Sequence, residues 1–229
     1  MVTVVIIPGS FAPPSLYKPL AQSLARDGIQ SNIVDLPSVG RREGKEPATM
    51  TEDAEEIVSV VERLLDEDKE VILLAHSYGG VPATQSLDKL SRKNRQARGK
   101  EGGVLKIIYL AGVALPDDYM TLTPASAPFV YSDLPPAEAL KLAKEMPQHS
   151  TASYKEQLTY PGYQDAEVHY IICEEDELVL TEYQYGMVEL LKGMTNGDVG
   201  IHKIKSGHTP NLTQPDTITE IVRQTIAKI

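Results

Sequence analysis

Residues Val71 to Gly80, V-I-L-L-A-H-S-Y-G-G, constrain this chain more than any other stretch. Val71 to Ala75 is an unbroken apolar run of strand-forming length, and His76-Ser77-Tyr78 leads from it into two glycines. A helical pattern opens at once near Val81 and Pro82. The order is a buried strand, a sharp turn and a helix N-terminus in immediate succession. Small residues must flank such a turn for strand and helix to approach, and a serine at its apex is pushed clear of both. Ser77 is therefore expected to hold its hydroxyl exposed above the end of a sheet. A βα turn with an incidental serine has the same local pattern, so the rest of the chain decides between the two.

The chain's 229 residues fit one domain with a sizeable core. A formal charge of -10 argues against nucleic acid or an anionic membrane as the main partner. The lone Cys173 excludes an internal disulfide and fits a reducing compartment. A strand begins at Val2 with no basic leader, and no apolar run approaches the roughly 20 residues of a membrane span. A cytoplasmic protein of unspecified oligomeric state is expected.

Val2 to Ile7 reads as a first strand, apolar on both faces as in a parallel sheet covered by helices. Pro8-Gly9-Ser10-Phe11 follows, then a helix capped by Ser15 and running to Ala25, and a short strand from Asn32 to Leu36. Asp35 to Met50 is polar and glycine-bearing, a mobile surface loop by composition. Thr49 and Glu52 have the spacing of a capping box, and apolar residues from Ile57 to Leu65 recur with helical period. After the Val71 strand a helix runs to Leu90. The basic run Arg92 to Lys100 lacks interleaved aromatics and reads as a solvated helix end. Leu105 to Ala111 is the next strand. The repeating β-α-β-α order implies a parallel, doubly wound sheet.

Pro116 to Tyr163 breaks that order, being proline-rich with one helix from Pro135 to Met146. It is expected to lie across the top of the sheet as a lid, with Phe129, Tyr131, Met146, Tyr154 and Tyr160 as candidate pocket walls. His149 within it is expected to satisfy a lid hydrogen bond. Val168 to Cys173 is a fifth strand, followed by Glu174-Glu175-Asp176-Glu177. Such acid clusters are commonly solvated. Asp176 stands out because the apolar Leu178-Val179-Leu180 turns the chain back inward there. Asp117 and Asp118, after the preceding strand, remain alternatives.

A helix from Thr181 and a sixth strand, Val199 to Ile204, lead to Ser206-Gly207-His208-Thr209-Pro210 and a last helix from Gln214 to Ala227. Of the five histidines, His169 and His202 lie within strands, and His76 should point into the fold. His208 sits on a loop past a strand end, placed to reach back over the sheet.

Ser77, Asp176 and His208 thus follow in the order nucleophile, acid and base, each past a strand end, and the chain resembles the α/β-hydrolase superfamily over nearly its whole length. The matching segments are P-G-S-F, A-H-S-Y-G-G, E-E-D-E-L-V and S-G-H-T-P-N-L. They look most like the compact, short-lidded branch with methylesterases and hydroxynitrile lyases. The departures are Pro8, where a histidine usually precedes the glycine, and Ala75 in place of the first glycine of the nucleophile elbow. The resemblance implies an α/β-hydrolase fold of about six mainly parallel strands with helices on both faces and a lid near 116–163. It implies Ser77 as nucleophile, His208 as base, Asp176 as orienting acid, and an oxyanion hole from the backbone N–H groups of Ser10 and Tyr78. Gly9, Phe11, Phe129, Tyr131, Met146 and Tyr160 would line the pocket.

No metal or nucleotide cofactor is implied, for the sequence has neither a Cys/His cluster nor a phosphate-cradling glycine loop. The expected substrate is a small carboxylic ester or lactone. The lyase branch usually carries a threonine at the Gly9 position and a lysine after the histidine, where this chain has Gly9 and Thr209. A carbon–carbon lyase or cyclase, or a small-ligand receptor that keeps the three residues, is the alternative.

Overall fold

The computed structural model describes residues 2–111, 119–120, 125–195 and 199–227. Among them β1 (Val2–Ile7), β2 (Gln30–Ile33), β3 (Glu70–His76) and β4 (Val104–Leu110) lead to a two-residue pair, β5 (Tyr119–Met120) and β6 (His149–Ser150). Strands β7 (Glu167–Cys173) and β8 (Val199–Ile204) complete the set. Six of these form one sheet in the order β2-β1-β3-β4-β7-β8, every neighbouring pair parallel. The chain starts near the middle, builds outward through β2, then returns past β1 to build the other half. The point where the order reverses lies beside β1 and β3, where ligands of open α/β sheets bind.

The central strands are buried on both faces because each face is covered by helices. On one side Val4, Ile6, Ile72, Leu74, Ile108 and Ile171 pack with Leu20 and Leu24 of α1 (Lys18–Arg26) and Ile218 and Val222 near the C-terminus. On the other, Val5, Ile7, Val71, Leu73 and Ile107 pack with α2 (Met50–Asp66) and α3 (Gly80–Leu90). Thr49 and Glu52 cap α2 reciprocally as expected.

Short helices follow: α4 (Arg92–Ala97), then α5 (Ala127–Val130), α6 (Pro136–Glu145) and α7 (Ala152–Lys155) in the segment between β4 and β7. Helix α8 (Thr181–Met194) joins α2 and α3 on their face, while α9 (Pro210–Thr213) leads into α10 (Pro215–Ile226) beside α1. Among the described residues no helix is long and apolar enough to cross a membrane.

Three local expectations need correction. Ser15 caps nothing: a 3-10 turn over Pro14–Tyr17 precedes α1, because Pro14 and Pro19 suit first-turn positions and disrupt a longer helix. The polar loop before α2 is pinned at its middle, where Ser38 N–H donates to the buried Asp53 carboxylate at 2.9 Å and Gly40 N–H to Gln148 C=O at 2.6 Å. In the basic run, Arg95 is buried rather than solvated, its guanidinium bonded to Asp66 at 3.0 Å and to the Glu101 carbonyl at 3.1 Å. Pro116, Asp117, Asp118 and the start of the expected lid lie outside the described residues.

Candidate active site

Strand β3 ends at His76 and the chain turns within one residue. Ser77 takes φ of 52°, left-handed territory where a non-glycine residue is strained, and a 3-10 turn over Ser77–Gly79 feeds α3. The approach of this turn to β1 explains Gly79, since a Cβ there would lie 2.3 Å from the Pro8 carbonyl oxygen. Ser77 does not stand open to solvent as its place on the turn suggests: it is 8% exposed. Ser126, Val130, Tyr131 and Tyr154 from the segment between β4 and β7 form part of a cavity of about 240 Å³ with Ser77 in its wall.

The loops after β7 and β8 bring the other two residues to Ser77. His208 Nε2 lies 3.1 Å from Ser77 Oγ, and His208 Nδ1 lies 2.8 Å from Asp176 Oδ2. A carboxylate oxygen accepts, so Nδ1 carries the ring proton and Nε2 is left to accept from the serine hydroxyl. Asp176 is itself oriented, with Oδ1 accepting the N–H groups of Leu178 at 2.9 Å and Val179 at 2.8 Å. Val179 is buried over this contact, whereas Leu178 and Leu180 are half exposed, so the expected apolar cover comes from Val179.

Beneath these residues runs a second chain of hydrogen bonds that sequence reasoning missed. Gly9 N–H donates to Tyr17 Oη at 2.8 Å, and Tyr17 Oη bonds His76 Nδ1 at 2.6 Å. His76 Nε2 in turn reaches the His208 carbonyl oxygen at 2.8 Å. Burial pushes the His76 imidazole down to about 3 and the Tyr17 phenol well above its ordinary value, so both stay neutral over the working pH range. The carbonyl can only accept, so His76 Nε2 donates to it and Nδ1 accepts from Tyr17. The chain joins the loop after β1 to the backbone of His208. The sequence signal available was a tyrosine and a histidine in apolar surroundings, with nothing to show that they meet.

Ser10 follows Gly9 on the cavity wall, and neither Ser10 N–H nor Tyr78 N–H has a hydrogen-bond partner among the described residues. The Tyr78 side chain points away, its hydroxyl donating to Asp53 at 2.5 Å, and burial raises the Asp53 carboxyl to about 6. Phe11, φ 62°, shares the positive-φ strain of Ser77.

Of the expected pocket walls, Gly9, Phe11, Tyr131 and Tyr154 line the cavity. Phe129, Met146 and Tyr160 do not. Phe129 is 48% exposed, Met146 packs on the small core of Ala127, Tyr131, Ala139 and Ala143, and Tyr160 bonds Asp165 and Asn94. His149 acts as expected of a structural group: its Nε2 meets Ser153 Oγ at 3.0 Å and its Nδ1 accepts from Phe11 N–H at 3.4 Å. Among the described residues no group of three His, Cys, Asp or Glu is arranged to hold a metal ion.

Comparison with known proteins gives a consistent picture. The model of the "Alpha/beta hydrolase family" matches residues 4–221. A "Probable hydrolase R7" of Phoma sp. is 31% identical, with 96% of each chain covered. The "Alpha/beta hydrolase nvfD" of Aspergillus novofumigatus is 23% identical, covering 96% of this chain and 94% of that one. Among solved structures, the methylesterase MES16 from Arabidopsis superposes with a TM-score of 0.80 over the whole of both chains at 17% identity. Polyneuridine aldehyde esterase superposes with a TM-score of 0.73 over 98% of both at 19% identity.

Proposed function

The chain belongs to the α/β-hydrolase family, and from that premise we propose that it is a serine hydrolase cleaving a small carboxylic ester or lactone. The observation that carries this reading is the unbroken hydrogen-bond path from Ser77 Oγ through His208 to Asp176, which opens into a partly enclosed, apolar cavity. The similarity in fold to a methylesterase and to polyneuridine aldehyde esterase supports the substrate class.

Ser77 Oγ attacks the substrate carbonyl carbon as its proton passes to His208 Nε2. Asp176 keeps Nδ1 protonated and stabilises the imidazolium. The carbonyl oxygen becomes an oxyanion facing the N–H groups of Ser10 and Tyr78; one such donor is worth about 2.7–4 kcal/mol in measured cases. The intermediate collapses, the C–O bond to the alcohol breaks, and that oxygen takes the proton back from His208. Water then repeats the sequence on the Ser77 ester, releasing the acid and restoring the serine.

A fluorophosphonate probe should label Ser77, and a panel of p-nitrophenyl esters and lactones should be turned over repeatedly. Ser77→Ala should lose labelling and turnover while melting at the wild-type temperature, because the hydroxyl packs no core. Ester hydrolysis by Ser77→Ala at the wild-type rate sinks the mechanism.

A further inference from the structure

Ser77 stands between two cavities. Beside the one described, a separate groove of about 300 Å³ opens between α3 and α8 over the ends of β3 and β4. Among the described residues Ser77 is the one that lines both. The groove's floor is small, Ala75 and Gly80, and its sides are apolar, with Val81, Leu158, Met187 and Leu190 prominent. Gly80 keeps the floor low: a Cβ there would lie 3.2 Å from the Tyr109 ring. Two hydroxyls at the base, those of Thr84 and Tyr109, are spent internally. Thr84 Oγ1 donates to the Gly80 carbonyl at 2.7 Å and accepts from Tyr109 Oη at 2.7 Å. Leu158, Met187 and Leu190 are 38%, 44% and 52% exposed, apolar surface that gains by being covered.

We propose that this groove is the acyl-chain subsite and that the substrates are esters of carboxylic acids with an extended apolar acyl arm. The inference rests on the hydrolase reading given above. It follows from where the proton must go. An ester carbonyl carbon bonded to Ser77 Oγ carries two substituents, the leaving alkoxy group and the acyl arm. The alkoxy oxygen must receive its proton from His208 Nε2, and His208 lines the first cavity and not the groove. The alcohol therefore occupies the cavity roofed by Tyr131 and Tyr154. The acyl arm, which stays on Ser77 when the C–O bond breaks, is left the groove that Ser77 also lines. At about 300 Å³ the groove is at the low end of the size range of whole-ligand pockets, which suits one arm of a substrate.

The test uses the full chain with two ester series: p-nitrophenyl esters from acetate to octanoate, and acetates of alcohols of rising length. The ratio of kcat/KM for octanoate over acetate should exceed ten in the wild type. Leu190→Glu, which sets a charge on an already exposed groove wall, and Val81→Trp, which fills the groove, should each lower that ratio at least tenfold. Neither should change the ranking of the alcohol series. Tyr183→Ser, on the same helix but outside the groove, should leave the ratio at its wild-type value. Unchanged acyl ratios in both groove variants overturn the proposal, and so does a change confined to the alcohol series. These results would leave the hydrolase reading standing. The absence of both Ser77 labelling and ester turnover in the wild type would remove that reading, and this proposal with it.

Discussion

The two walls of the Ser77 cavity are held in place by different means. One wall grows from the sheet. Ser77, Asp176 and His208 each follow a parallel strand, and backbone bonds tie the last two loops together, Glu174 N–H to the Ile204 carbonyl at 2.9 Å and Glu175 N–H to the Ser206 carbonyl at 3.0 Å. The other wall, from residues 125–163, is bonded through its backbone to the loop before α2, Gly40 N–H to the Gln148 carbonyl and Ser150 N–H to the Ser38 carbonyl, but meets the site itself through side chains. Tyr154 Oη meets Ser10 Oγ, Asp133 accepts from Gly207 N–H and Thr213 Oγ1, and His149 accepts from Phe11 N–H. A ladder of backbone bonds between buried strands fixes atoms regardless of the side chains facing the cavity. A wall that meets the site only through side-chain contacts can change its lining by substitution without moving the sheet. Such a division suits an enzyme whose chemistry is constant and whose substrate varies.

A sheet-borne substitution should cost far more than any in the other wall, and Asp176→Asn should show the largest loss. Asp176 Oδ1 accepts two backbone N–H groups, so the asparagine carbonyl must take that place. Its NH2 group is then turned toward His208 Nδ1, which becomes an acceptor, and the ring proton moves to Nε2, where it blocks the serine. The expected fall in kcat is roughly 10⁴-fold, as in the comparable protease change. Glu175→Gln should stay within about tenfold, under roughly 1.4 kcal/mol. If Asp117→Asn or Asp118→Asn is the crippled variant instead, Asp176 is not the orienting acid.

The same division governs what could be read before any coordinates. The sheet and the three residues at its strand ends were legible because strand, turn and helix boundaries carry apolar period and glycine signals, and position past a strand end then selects the side chain. The lining of the other wall was not. Phe129 and Tyr131 lie two residues apart at the end of the short helix α5, so one faces solvent and the other the cavity, and a four-residue helix is too short to show a period in the sequence. Tyr160 was indistinguishable from Tyr154 by residue type; its hydroxyl is held by Asp165 and by Asn94, the latter 66 positions away. The bonds among Gly9, Tyr17, His76 and His208 were hidden for the same reason, since they join residues up to 132 positions apart.

That buried chain sharpens the comparison, because it is a side-chain link within the sheet-borne half. Tyr17→Phe removes the acceptor of Gly9 N–H and the donor to His76 Nδ1 while keeping the ring in the cavity wall. Leaving buried groups unpaired costs about 1–3 kcal/mol, so kcat should fall roughly tenfold to a hundredfold. KM should change little, since the loss lies in holding the Gly9–Ser10 loop and His208 in register. A raised KM with unchanged kcat would mean that Tyr17 serves only as a pocket wall.

The smallest expected effect belongs to the other wall and appears in stability rather than rate. His149 is packed against the rings of Phe11, Tyr78 and Tyr154, and burial pushes its imidazole from 6.5 down to about 3. The folded chain therefore keeps it neutral where the unfolded chain would protonate it. Its contribution is fully present above pH 6.5 and is lost as the pH falls toward 3, because unfolding then takes up a proton. His76, lowered to about 3 by burial, adds a second proton with the same sign. Asp53 opposes them: its carboxyl is raised from 3.8 to about 6, so the folded chain binds that proton first and gains stability across this window as the pH falls. Two protons against one predict a net loss of melting temperature on acidification below about pH 6.5. His149→Gln keeps an acceptor for Phe11 N–H and cannot protonate. It should flatten the acid slope by about one proton while leaving kcat at pH 7.5 within about twofold. A variant with the wild-type slope would show that His149 titrates normally and that its wall is not held by a neutral imidazole.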